Sequence, residues 1–232
     1  MFGTGLGIEI FIIIGFFMLL GMIVSNRLKA KFKKYSRIPI RAGLTGREVA
    51  EKMLYENGID NVTVSSTPGK LSDHYNPLNR TVNLSPEVYN GRSIAAAAVA
   101  AHESGHAVQH AQAYAFLQLR STLVPMVSIS SKYMQWILLI GILTINQFPG
   151  ILLAGIIMFA TTTLFSFITL PVEYDATKRA LVWLDNAGLT SGQEHSKARD
   201  ALKWAARTYV VAALSSLATL LYFILIFMGG RR

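Results

Sequence analysis

Three stretches of this chain are apolar for longer than a soluble helix needs. Residues 10–24 are interrupted only by glycine, residues 123–170 carry Lys132 as their one charge, and residues 209–228 carry none. At about 1.5 Å per residue a helix of roughly 20 residues crosses the ~30 Å hydrocarbon core of a bilayer. The middle block is too long for one crossing. The polar stretch 144–150, with Pro149, divides it into two helices, so the pattern predicts four spans: an anchor, a hairpin and a last helix.

Between these runs the pattern is that of a water-exposed domain. Residues 44–57 place Val49, Met53 and Leu54 on one helical face, Thr45 and Glu48 have capping-box spacing, and Gly58 supplies a stop. Val62, Val64 and Leu71 fall in short segments bounded by Pro68, Gly69 and Asn76-Pro77, and residues 81–84 alternate, which predicts short strands. Residues 93–113 are rich in alanine and free of proline, which predicts a helix.

Charge sets the topology. Of 22 Lys+Arg, 13 lie in residues 25–120 and 6 in residues 172–208, and basic residues accumulate on the cytosolic side of a membrane. No basic residue precedes the first run, whereas Arg27, Lys29, Lys31, Lys33, Lys34 and Arg37 follow it. The N-terminus is therefore expected outside, with a retained anchor rather than a cleaved signal. The expected organisation is a transmembrane anchor (1–26), a cytosolic region (27–122), a transmembrane hairpin (123–170), cytosolic helices (171–208), and a last span with a short tail (209–232). A formal net charge of +9, 15% charged residues and a mean hydropathy of +0.39 point to anionic lipid as the neighbour rather than nucleic acid. With no cysteine there is no disulfide and no thiolate ligand, so a metal has to be held by histidines and carboxylates.

Such a set exists. His102-Glu103-Ser104-Gly105-His106 is an HExxH pattern on the predicted Ala-rich helix. Four residues apart, the two imidazoles share a face and can hold one Zn²⁺, with Glu103 beside it to accept a proton. A catalytic zinc takes three protein ligands. The longer HExxHxxGxxH pattern is excluded by Gln109 and Gln112. His110 extends the series but shifts by ~6 Å along the axis at each step, and reads as a supporting or surface residue. Glu173, after the third span and on the same side as the motif, is the third-ligand candidate; a solvated carboxylate after Pro171 is the alternative. Asp175 is placed to orient an imidazole.

HExxH followed by Glu173-Tyr174-Asp175-Ala176, with Leu71-Ser72-Asp73-His74-Tyr75 upstream and spans around them, resembles the bacterial membrane zinc metallopeptidases of the YugP type. More distantly it resembles HtpX and the CAAX prenyl proteases. The resemblance covers nearly the whole chain. It implies one Zn²⁺ on His102, His106 and Glu173, Glu103 as general base, a gluzincin-type hydrolase, and a site facing the cytosol near the cytoplasmic membrane of a bacterium. It further implies that residues 73–85 offer an edge strand to an extended peptide, with His74 and Tyr75 as candidates for steadying an oxyanion. Arg179 is a candidate for fixing a carboxylate, and His195 is expected in a solvent-exposed loop.

The expected fold is a mainly α-helical membrane protein with a small zincin-like α/β cytosolic domain. The expected partners are the bilayer and a peptide or membrane-protein substrate. A non-catalytic zinc-binding scaffold or interaction protein is the alternative reading, against which the intact Glu103 argues. A metal transporter would place its ligands within the apolar spans, where His102, His106 and Glu173 do not fall. Gly15 and Gly21 permit close helix contacts, so a homo-oligomer stays open.

Overall fold

The computed structural model describes residues 7–229 and is mostly helical, with one small sheet. The expectations for the extreme N-terminus and for the terminal Arg231 and Arg232 lie outside the described residues. Among the described residues six longer helices and four short elements follow in order: α1 (Ile8–Tyr35), α2 (Gly46–Glu56), β1 (Thr63–Ser66), β2 (His74–Asn76), β3 (Thr81–Leu84), α3 (Pro86–Tyr89), α4 (Ile94–Ala111), α5 (Ala115–Leu143), α6 (Pro149–Asn186) and α7 (Gly192–Gly229). Helices α1, α5, α6 and α7 are each long and apolar enough to cross a membrane. The contacts divide the chain into two compact units: residues 7–23, 119–170 and 208–229, and residues 24–118 and 171–207.

The first unit consists of apolar helical stretches whose side chains stay largely exposed, as suits lipid contact; Phe11, Met18, Ile129, Trp136, Ile157 and Leu225 are all on its surface. Small residues bring its hairpin together. A Cβ added at Gly141 would lie 2.5 Å from Leu152 Cα, and one at Gly155 would lie 2.8 Å from Leu138 Cδ2, so glycine is what lets these backbones approach. Leu138, Leu152 and Ile156 fill that contact, and Thr163 Oγ1 and Ser216 Oγ, 2.6 Å apart, link two helices by a hydrogen bond. Gly15 and Gly21 have nothing within 4 Å of an added Cβ.

The second unit is built around the buried α4. Ser93 caps it by accepting from Ala96 N at 3.1 Å, and its alanines pack against Val49, Met53 and Leu54 of α2, Val82 and Leu84 of β3, and Ala180 and Leu184 of α6. Each fully buried aliphatic side chain of this size contributes about 1.5–3 kcal/mol. Alanine is used because its short side chain lets α4 be surrounded closely. Both halves of the Thr45–Glu48 capping box form, and Gly58 takes φ +70° where α2 stops. The sheet has the order β1-β3-β2, with β1 parallel to β3 (Thr63 beside Thr81) and β2 antiparallel to it (Tyr75 beside Val82).

Three elements differ from the pattern reading. Helix α1 does not end with its apolar run but continues through the basic stretch to Tyr35. Lysine and arginine are good helix formers, and the end is held because Tyr35 is buried and its hydroxyl donates to Asp200 Oδ2 at 2.6 Å, with Lys31 Nζ on the same carboxylate at 2.7 Å. Leu71 sits outside any strand at φ +55°. Pro171 does not start a new helix but lies inside α6. A proline removes one backbone hydrogen bond, and the turn is kept because Val172, Ala176, Ala180 and Leu184, at helical spacing beyond it, are all fully buried in the second unit.

Candidate metal centre

The close approach of α4 to α6 brings the motif to its partner. At Gly105 an added Cβ would stand 2.9 Å from the Ala176 carbonyl oxygen, so the middle of HExxH has to be this small for the two backbones to meet. Across that contact His102 Nε2 lies 3.3 Å and His106 Nε2 3.7 Å from Glu173 Oε2. The three candidate ligand atoms lie within 4.8 Å of one another. The imidazoles stand nearly perpendicular, 79° apart with centroids 4.8 Å apart, and Glu173 is only 3% exposed.

The outer nitrogen of each ring is also held. His106 Nδ1 donates to Gln109 Oε1 at 3.0 Å, and His102 Nδ1 lies 3.3 Å from Thr177 Oγ1. Gln109 is fully buried, and its amide nitrogen donates both to the Val172 carbonyl and to Asp175 Oδ2, each at 2.8 Å. With both amide protons used on α6, its oxygen must face His106. That oxygen keeps a proton on Nδ1, so Nε2 is the ring nitrogen turned toward Glu173. Asp175 therefore reaches the imidazole through Gln109 rather than directly, and it is held in turn by Arg179, whose Nη1 also donates to Gln112 Oε1 at 2.6 Å.

The electrostatics follow from burial and pairing. Glu173 lies past the apolar stretch of α6, which ends at residue 170. Burial alone would raise its pKa, but hydrogen bonds from His102 and His106 outweigh burial and hold the carboxyl well below the usual range. Burial disfavours a charged His106 ring, yet its hydrogen bond to Glu173 and the nearby charges of Glu173 and Glu103 prevail and raise its pKa. Two imidazole nitrogens and an anionic oxygen are a donor set that suits Zn²⁺. Bonds of about 2.0–2.2 Å in a tetrahedron separate ligand atoms by roughly 3.3–3.6 Å, close to the spacings around Glu173 Oε2.

Glu103 is half-buried and its Oε2 accepts the main-chain N–H of Tyr75, from edge strand β2, at 3.0 Å. The Tyr75 phenol points elsewhere: its oxygen is 2.7 Å from His110 Nδ1. His74 is exposed, its Nδ1 donating to the Ser72 carbonyl at 2.7 Å and its Nε2 accepting from Asn83 at 3.3 Å. His195 lies in the first turn of α7, half-buried and 3.2 Å from Thr190 Oγ1, rather than in an open loop. Sequence reasoning passed over Gln109 and Thr177. The available signal was spacing, since Gln109 is three residues after His106 and Thr177 four after Glu173, each on the same helical face as its neighbour.

A family model described as "Putative neutral zinc metallopeptidase" matches residues 10–228. The chain is 42% identical over 205 residues, 88% of its length and 90% of the relative's, to the "Putative membrane protease YugP" of Bacillus subtilis (strain 168). No solved structure gives a significant match.

Proposed function

The chain belongs to this zinc metallopeptidase family, and from that premise we propose that it is a membrane metalloendopeptidase that hydrolyses peptide bonds of membrane proteins or peptides near the cytosolic membrane surface. The observation that carries the reading is the buried cluster of His102, His106 and Glu173, with the outer nitrogen of each imidazole turned to a neutral oxygen. These three residues would hold one Zn²⁺ per chain in a zincin-like site. Bound there, the ion supplies Lewis acidity to a water and to the scissile carbonyl.

The protein's own groups then divide the work. Glu103 Oε2 is steadied by the Tyr75 N–H, so the carboxylate is aimed to take a proton and return it to the leaving amine. Gln109 sets the tautomer of His106, and Thr177 lies against Nδ1 of His102. Asp175 and Arg179 brace Gln109 from α6. Strand β2 offers its main chain at the sheet edge to an extended peptide. The concentration of 13 and 6 Lys+Arg in residues 25–120 and 172–208 supports a cytosol-facing site in the cytoplasmic membrane.

Elemental analysis of the full-length protein in detergent, beside His106→Ala and Glu173→Ala, tests the assignment. One zinc per chain is expected in the wild type and much less in both variants. Zinc that survives Glu173→Ala moves the third ligand elsewhere, and zinc-free wild type removes the metallopeptidase reading.

A further inference from the structure

The water-exposed unit carries a second feature beside the metal centre. Tyr174, Leu181 and Val182 of α6 and Ala206 of α7 line a groove of about 500 Å³, and Lys178, Arg199 and Lys203 line it with them; Asp185 is its one carboxylate. Tyr174 and Val182 are each 51% exposed. Among the described residues none of the three cations has an ion-pair partner, whereas nearby Lys31 and Arg179 are neutralised by Asp200 and Asp175.

Both helices that form the groove run on into apolar stretches. Helix α7 carries no charge from residue 208 to 229, and α6 none from 149 to 170. Lys203, Arg199 and Lys178 are therefore five, nine and eight residues from those stretches, or about 8–14 Å along the helix. That is the depth of a headgroup layer extended by the reach of a lysine or arginine side chain. Apolar floor, unpaired cations and this spacing together match a phosphate attached to an acyl chain.

We propose that this groove binds an anionic phospholipid, its phosphate on Lys178, Arg199 and Lys203 and the start of its acyl chain on Tyr174 and Ala206, the lining residues nearest the apolar stretches. Thr177 lines the same groove and also lies 3.3 Å from His102 Nδ1, so an occupied groove abuts the residue that supports one imidazole.

Native mass spectrometry of the full-length protein in neutral detergent, with phosphatidylglycerol or phosphatidylcholine added, counts the lipid retained. The wild type is expected to retain phosphatidylglycerol over phosphatidylcholine by at least about tenfold, within what three cations near a headgroup can supply. The K178A/R199A/K203A variant should lose that preference. Val182→Asp, which keeps every cation but puts a carboxylate in the groove with them, should lose it too, while K29A/K33A/R37A should keep it. Zinc content in the same samples should stay at the wild-type level, which separates this test from that of the peptidase reading. The proposal is overturned if K178A/R199A/K203A keeps the preference or if K29A/K33A/R37A loses as much. It is equally overturned if inorganic phosphate or a polyglutamate peptide displaces the lipid as well as phosphatidylglycerol itself does.

Discussion

At the scale of single residues, two side chains of α4 have opposite expected signatures. Glu103 lies beside the candidate ligands without belonging to them, so Glu103→Gln should leave zinc content unchanged and reduce turnover by at least about 100-fold, the scale of a general base. Metal analysis and a peptide-hydrolysis assay on one preparation check both halves, and near-normal turnover would remove Glu103 from the base role. Gln109→Leu is close in volume but cannot accept from His106 or donate to Val172 and Asp175. It should weaken zinc binding by about 10–100-fold, measured by competition with a chelating dye, while Gln109→Glu, which can still accept from Nδ1, should lose less. Equal affinity in wild type and Gln109→Leu would deny Gln109 a positioning role. The HExxH spacing is visible in the sequence because four residues make one helical turn. Gln109's role is not, because its partners on α6 lie 63 and 66 residues away.

At the scale of elements, the site depends on how closely two helices pack. Helix propensity favours alanine over glycine by about 1 kcal/mol in a helix interior, so Gly105 costs α4 local stability and is explained by its contact with Ala176. Gly105→Ala would gain propensity yet force the backbones apart by several tenths of an ångström. The expected result is normal membrane insertion with zinc affinity reduced at least about tenfold; full retention of zinc would show that α6 can give way without moving Glu173. The ends of α2 were legible from Thr45, Glu48 and Gly58 because capping is a local matter of side chains and nearby backbone groups. Pro171 misled for the opposite reason. Its local cost is real, but burial of Val172 and Ala176 beyond it decides for an unbroken helix.

At the scale of the molecule, the two units have separate interiors, alanine-rich around α4 in one and a glycine-permitted helix contact in the other. Ligand binding stabilises the cooperative unit that holds the ligand, by about 2.7 kcal/mol at a hundredfold excess over Kd. Chelation should therefore speed hydrogen exchange at residues 172–177 and 102–109 and leave residues 152–166 unchanged; uniform loss of protection would mean that the metal supports the whole chain. The sequence by itself determined where the chain can lie in lipid, since four apolar stretches and 19 of 22 basic residues between them are matters of composition along the chain. It also determined that two imidazoles share one helical face. Tertiary structure alone brought Glu173 beside them, joined Asp175 to Gln109 rather than to an imidazole, and gathered three cations along one groove. Those relations join residues far apart in the chain, and the first two need the close packing of Gly105 against Ala176 that brings α4 to α6.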